Sequence, residues 1–145
     1  RYIMEKHADG DMFPPDREQY ESFLNNSLGC TQYFRLYDKD RLVCVAVSDQ
    51  MLDGLAAIYT FYDPNLDKRS LGTFAVLLQI SHAKKLGLPY VYLGYWIDGC
   101  RKMSYKTRFK PLEMLSNGRW HGDGDSSTSG LSTIPVVNVS RDARD

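Results

Sequence analysis

The 145 residues carry 18 Lys plus Arg against 18 Asp plus Glu, so the formal charge is zero, with 43% hydrophobic and 12% aromatic side chains. That length suits one domain with a substantial core, and zero net charge excludes a long-range pull of the whole molecule on a polyanion, leaving local clusters to act. No apolar run approaches the ~20 residues that a membrane helix needs, and no signal-peptide pattern opens the chain; the expectation is a cytoplasmic protein with no membrane partner.

Residues 1–8 fit a helix continuing from earlier sequence, and the start at Arg1 reads as the interior of a longer protein. The stretch Asp9-Gly10-Asp11-Met12-Phe13-Pro14-Pro15 breaks any helix. Asp16 then opens one, with Tyr20, Phe23 and Leu24 at helical spacing and a stop near Asn25-Asn26. The period switches to two over 31–37 and 41–48, strands joined by the tight turn Asp38-Lys39-Asp40. A third strand, apolar and aromatic enough to be buried, covers 55–62 and ends at Asp63-Pro64-Asn65.

The strongest helix follows. Ser70 is its expected N-cap, Leu71, Phe74, Leu77, Leu78 and Ile80 form its apolar face, and Lys84 and Lys85 complement its dipole before Gly87 closes it. Residues 89–95 read as a strand, so strand–helix–strand predicts a crossover between neighbouring parallel strands. A last strand is expected at 112–115. Beyond it, Gly, Asp, Ser and Thr dominate 122–145, which reads as a flexible tail, with 134–139 at most an edge strand. The domain is thus expected to be 1–121.

Cys30, Cys44 and Cys100 are odd in number and widely spaced, which suits free thiols better than a disulfide framework or zinc site. His7, His82 and His121 are scattered, and neither a nucleophilic triad nor a metal-ligand spacing emerges. Asp53 and Asp98 are loop carboxylates better suited to turns than to proton transfer.

Three constellations can carry chemistry. Residues 101–110 contain Arg101, Lys102, Lys106, Arg108 and Lys110, no acidic residue, and the aromatics Tyr105 and Phe109. In an α-helix, Lys102 and Lys106 would share a face. Such a segment suits phosphate contact with base stacking, or capture of a carboxylate, or simply a solvated cationic face. Second, Lys68-Arg69-Ser70-Leu71-Gly72-Thr73 places cations beside the free N–H groups of a helix start, a natural anion site. This resembles the cofactor loop of the GNAT acyltransferases, Arg/Gln-x-x-Gly-x-Gly/Ala: Arg69 and Gly72 match, while Phe74 occupies the final small position, which speaks against coenzyme A. Ordinary helix capping accounts for the same residues. Third, Tyr90 and Tyr92 share one strand face, and Tyr95 stands near the strand end where open α/β sheets take ligands, although strand tyrosines are commonly packing residues.

Tyr-Leu-Gly-Tyr-Trp-Ile (92–97) followed by Gly-Cys-Arg-Lys-Met-Ser-Tyr-Lys (99–106) resembles the signature of the arginyl-tRNA–protein transferase family, and within it the bacterial aspartate/glutamate leucyltransferases. Asp-Gly-Asp-Met (9–12), Gln19-Tyr20, Phe23-Leu24, Phe61-Tyr62-Asp63-Pro64 and Ser70-Leu71-Gly72-Thr73 fit the same family, and the likeness spans about 1–119. The resemblance implies a GNAT-like α/β (α+β) fold, a mixed central sheet flanked by helices, that takes aminoacyl-tRNA as co-substrate and no further cofactor. It implies acceptors beginning with Asp or Glu, marked for degradation through the N-degron pathway, and a preceding domain with a cysteine cluster. On that basis Lys102, Lys106 and Arg108 would bind the acceptor's acidic side chain, Tyr92 and Tyr95 would line the aminoacyl pocket, and Lys68, Arg69, Lys84 and Lys85 would touch tRNA phosphates. No general base is identified. Competing expectations are an acetyl-CoA-dependent N-acetyltransferase and a non-catalytic tRNA- or protein-binding module.

Overall fold

Two short helices open the computed structural model, which describes residues 1–6, 14–25, 29–97, 99–122 and 134–138: α1 (Tyr2–Lys6) and α2 (Arg17–Asn25). Asp16 starts α2 as expected, its carboxylate accepting the Glu18 N–H at 2.8 Å. The expected helix over 7 and 8, and the turn-rich residues 9–13, lie outside the described residues.

The period-two segments form β1 (Thr31–Asp38), β2 (Arg41–Gln50) and β3 (Gly54–Tyr62), an antiparallel meander. Its first turn is tight because Lys39 adopts a left-handed φ of 54°. All of 43–48 is buried in β2, which explains its continuous apolar run: both faces of this strand are covered. α2 covers part of one face, with Tyr20 edge-on to Phe61 and the Leu24 carbonyl accepting from the Tyr33 hydroxyl.

After Tyr62 the chain makes a 3-10 helix, Pro64–Arg69, capped by Asp63, whose carboxylate accepts the Asn65 N–H. Ser70 follows in the left-handed region (φ 52°) and makes no side-chain capping bond, so it turns the chain into the next helix rather than capping it as expected. That helix, α3 (Leu71–Lys85), buries Leu71, Ala75, Val76, Gln79 and Ala83, residues spaced to lie on one face. They meet Leu36, Cys44 and Ala46 at one end and Leu55, Val91 and Leu93 at the other. One polar pair is enclosed in this layer, Ser48 Oγ donating to Gln79 Oε1 at 2.8 Å beside a register shift in the β2–β3 ladder.

β4 (Tyr90–Tyr92) returns parallel to β3, as the crossover predicts, but it is shorter than the expected 89–95 because Gly94 turns the backbone away at φ 75°. A second 3-10 helix, Arg101–Arg108, leads to β5 (Leu112–Ser116). β5 forms a hairpin with β6 (Arg119–Gly122) around Asn117-Gly118, at φ 51° and 71°. Two successive positive φ values are the signature of a type I′ turn.

The mixed sheet has seven strands, in the order β1-β2-β3-β4-β7-β5-β6. The seventh, β7 (Ile134–Asn138), corrects the expectation of a tail with at most an edge strand. It stands inside the sheet, antiparallel to both β4 and β5, with Pro135, Val136 and Val137 buried. The physical reason is that β4 and β5 do not pair with each other, and the apolar Val136–Val137 segment satisfies the facing edges of both. The remainder of the expected tail, 123–133 and 139–145, lies outside the described residues.

Candidate functional site: the cleft between β3 and β4

The parallel ladder of β3 and β4 lasts three residues, from Gly54 opposite Tyr90 to Ala56 opposite Tyr92. β3 then continues along β2 to Tyr62 while the other chain segment turns off at Gly94, so the strands part and leave a cleft. Closeness at the shared end requires glycine: a Cβ on Gly54 would stand 2.6 Å from the Tyr90 carbonyl oxygen and 2.9 Å from the Tyr92 ring.

Lys106 occupies the point of parting. Its Nζ donates to the Tyr95 carbonyl at 2.6 Å and lies 3.7 Å from where a Cβ on Gly94 would stand, a position also 3.8 Å from the Ala57 carbonyl oxygen. Burial holds this ammonium below the usual lysine range, an effect that Cys100 nearby partly offsets. A half-buried cation held by one carbonyl retains donors for an anionic ligand.

The β3 wall and the chain start are aromatic. Tyr2 packs on Tyr62 (5.0 Å between ring centroids) and on Tyr59 (6.3 Å), and Tyr59 neighbours Phe61. Tyr105, on the second 3-10 helix, packs against the main core, and its hydroxyl is pushed above the usual tyrosine range by burial and by Tyr62. Burial also raises Tyr2 strongly, with Tyr62, Tyr59 and Tyr105 adding to it. These phenols therefore stay neutral and offer a stacking surface with hydroxyl donors. At the cleft mouth, Asp67 accepts from Tyr62 (3.1 Å) and pairs with Lys6 (2.9 Å); the Lys6 bond first, and then the Tyr62 bond, lower its carboxyl below the usual range.

The structure separates several residues that the sequence grouped. Lys102 and Lys106 do not share a face, because the segment winds as a 3-10 helix, in which positions four apart are rotated by about 120°. Lys106 points into the cleft, whereas Lys102 and Arg108 are exposed. Tyr92 turns to the closed end, its hydroxyl donating to Asp53 at 2.9 Å and its ring 6.4 Å from Trp120. Burial and this bond push the Tyr92 hydroxyl up to about 12. Tyr95 gives its carbonyl to Lys106 and is itself 68% exposed. Lys68 and Arg69 stand before α3 and Lys84 and Lys85 at its end, about 22 Å apart along a 15-residue helix. Arg69 is paired with Asp38 at 2.8 Å.

Sequence reasoning assigns no site role to Tyr2, Tyr59 or Tyr62, although Phe61-Tyr62-Asp63-Pro64 is part of the family wording. Tyr59 and Phe61 do alternate along β3, but α1 is a five-residue helix whose docking no local pattern reveals.

A family model described as "Arginine-tRNA-protein transferase, C terminus" matches residues 1–116. A protein of Alcanivorax borkumensis named aspartate/glutamate leucyltransferase is 49% identical over 129 residues, covering 89% of this chain and 53% of that protein. One of the same name from Pseudomonas savastanoi is 52% identical over 120 residues, covering 83% and 51%. The chain thus spans about half the length of the curated relatives it matches. Among solved structures, a GNAT-family acetyltransferase of Staphylococcus aureus superposes with a TM-score of 0.61 at 17% identity, covering 95% of this chain and 89% of that one. The ribosomal-protein-S18-alanine N-acetyltransferase of Escherichia coli gives 0.57 at 16%, covering 86% and 79%. At such identities the likeness establishes the GNAT fold and nothing further. Taken with half of each leucyltransferase relative, the match over 1–116 settles the lineage: this chain belongs to the arginine-tRNA-protein transferase family, as a member of its C-terminal part.

Proposed function

We propose that the protein transfers leucine or arginine from charged tRNA to the N-terminus of acceptor proteins beginning with Asp or Glu, in the cytoplasm, as a step of the N-degron pathway. The observation that carries this reading is Lys106, a half-buried ammonium at the parting of β3 and β4. An acceptor whose first side chain is a carboxylate pairs with it, and its α-amine then stands over the cleft. Family membership and the names of the relatives support the same chemistry.

The reaction is an aminolysis. The lone pair of the acceptor amine attacks the ester carbonyl carbon, the tetrahedral intermediate collapses, and the ribose hydroxyl leaves carrying the proton that the amine gives up. An aminoacyl ester is already activated, so fixing the two reactants in register supplies much of the acceleration. The phenols of Tyr2, Tyr59 and Tyr62 line the slot for the aminoacyl end, and Tyr95 stands at its rim. Tyr92 supports the closed end through Asp53. Arg108 and Lys102 extend the positive field beyond Lys106.

An acetyl-CoA-dependent N-acetyltransferase is the second reading, and the fold favours it: a Bacillus subtilis acetyltransferase in complex with CoA superposes with a TM-score of 0.56. The loop opposes it. Arg69 is paired with Asp38, and Phe74 fills the last small position.

The test is transfer of radiolabelled leucine, and separately arginine, from charged tRNA to peptides beginning with Asp, Glu or Ala. Label on Asp and Glu peptides alone supports the reading and identifies the donor. No label from either donor, with saturable coenzyme A binding, overturns it in favour of the acetyltransferase.

A further inference from the structure

The face of the sheet turned away from α3 is partly taken by α2, which packs on Phe61 and Tyr33. Farther along, Val91, Val137 and Met114 join the core against α3. Their alternates Tyr90, Tyr92, Val136 and Glu113 therefore stand on the opposite face, with Trp120 beside them. Three rings gather there. The centroids of Tyr90 and Tyr92 are 6.1 Å apart with the rings tilted by 50°, and those of Tyr92 and Trp120 are 6.4 Å apart at 52°. Neither pair is stacked, so the rings do not occupy one another's faces. Gly54 lets the Tyr92 ring lie close over β3, since a Cβ there would meet it at 2.9 Å. Val136, in the same row as Tyr92, is buried, while Trp120 is left 46% exposed. Two carboxylates border the rings: Asp53 accepts from the Tyr92 hydroxyl at 2.9 Å, and Glu113 continues the Tyr92–Val136 row. Among the described residues, Asp53 forms no ion pair.

We infer that this face binds an arginine or lysine side chain of the acceptor polypeptide, in its second to fourth position, an inference that rests on the transfer reading above. Three features carry it. A cation is drawn to the negative faces of aromatic rings within about 6 Å, and Trp and Tyr serve best. The Asp53 and Glu113 carboxylates add charge of the matching sign, where a tRNA phosphate would be repelled. The position fits as well. Lys106 Nζ lies 3.7 Å from where a Cβ on Gly94 would stand, and Gly94 is two residues, about 7 Å, beyond Tyr92. An extended acceptor with its first carboxylate on Lys106 reaches the rings within the next two or three residues. The protein thus offers a cation to the first side chain and an aromatic, anionic surface to one that follows. Such a subsite adds a selectivity that recognition of the first residue does not contain.

The experiment uses peptides beginning with Asp that carry Arg, Lys, citrulline or Gln at the second, third or fourth position. Transfer gives kcat/KM for each, and fluorescence anisotropy of the same peptides, dye-labelled at the C-terminus, gives binding without turnover. The protein is compared with Asp53→Asn, which still accepts the Tyr92 hydroxyl, with Trp120→Leu, and with the ring-keeping Trp120→Tyr. At one position the Arg and Lys peptides should exceed their citrulline and Gln counterparts by about tenfold, chiefly in KM. Asp53→Asn and Trp120→Leu bring that ratio to within about twofold of unity, and Trp120→Tyr keeps most of it. A ratio near unity in the parent at all three positions overturns the inference. So does an undiminished ratio in an Asp53→Asn or Trp120→Leu variant with the parent's melting temperature. A Trp120→Leu variant with a raised KM for charged tRNA and an unchanged peptide ratio overturns it in favour of a nucleic-acid surface. The two readings fail separately: no transfer, with peptide binding that depends on the cation and on Trp120, removes the transferase alone. Normal transfer with peptide binding blind to the cation removes the subsite alone.

Discussion

The two walls of the cleft are made differently. β3 is paired with β2 along nearly its whole length and presents Tyr59, Phe61 and Tyr62, so its wall is rigid, aromatic and neutral. The opposite wall is the 3-10 helix Arg101–Arg108, which has no fully buried residue and is tied in through Tyr105 in the core and Lys106 on the Tyr95 carbonyl. Shape and stacking come from the first wall, charge from the second. Along this thin basic segment one cation, Lys106, is half-buried and fixed, while Arg101, Lys102, Arg108 and Lys110 lie exposed at the surface.

Reversing the fixed charge breaks this contrast most severely. Lys106→Glu removes the proposed partner of the acceptor carboxylate and sets a carboxylate against the Tyr95 carbonyl, so kcat/KM for Asp- and Glu-starting peptides is expected to fall roughly a hundredfold or more, about 3 kcal/mol. The fold should persist by circular dichroism, and near-parental transfer would separate Lys106 from acceptor binding.

β2, the strand that braces the β3 wall, has an alkaline weakness of its own. Burial pushes the Cys44 thiol up to about 11 from an ordinary 9.0. The folded state therefore holds its proton more tightly than the unfolded chain: the contribution is whole below pH 9 and lost as pH rises to about 11, roughly 3 kcal/mol in all. Urea denaturation at pH 8 and pH 10.5 reads the loss, and Cys44→Val should flatten that part of the profile.

At the closed end, Gly54→Ala forces a methyl group to within 2.6 Å of the Tyr90 carbonyl oxygen. Backbone atoms cannot step aside as a flexible side chain does, and a loss of about 2 kcal/mol in urea denaturation is expected. Full stability would show that the β3–β4 seam is looser than its geometry implies.

A pH profile sharpens the contrast without a large change in rate. Lys106 lies below the usual lysine range, so it loses its proton before a solvated lysine does, and transfer declines on the alkaline side ahead of ordinary lysine titration. Lys106→Arg, which stays charged, moves that decline upward in the same assay. The smallest effect belongs to the exposed part of the same wall. Lys102→Gln should change kcat/KM by less than about threefold, since interactions of an exposed charge are worth little.

The sequence is most legible where neighbours along the chain are neighbours in space. β1, β2 and β3 meet through short turns, and α3 with β4 follows the crossover rule, so alternation and helical spacing are enough. β7 defeats such reading because its partners, β4 and β5, lie far back in the chain and only the assembled sheet reveals the gap between them. The β5–β6 hairpin is within reach, since Asn117-Gly118 is a strong turn signal. At the site, the wording of 92–106 points to Lys106, but the 3-10 winding that parts it from Lys102 depends on packing of Tyr105 and Phe109, which spacing does not encode. Tyr2, Tyr59 and Tyr62 meet only through tertiary docking of α1.

The most direct test of the cleft as an acceptor site is the ratio of kcat/KM for a peptide beginning with Asp to that for the same peptide beginning with Asn, in the protein and in Lys106→Met. A preference for Asp that collapses to within a few-fold of unity in a folded Lys106→Met variant is the predicted result. Undiminished preference for Asp in that variant would contradict the account and send the search for the carboxylate partner elsewhere.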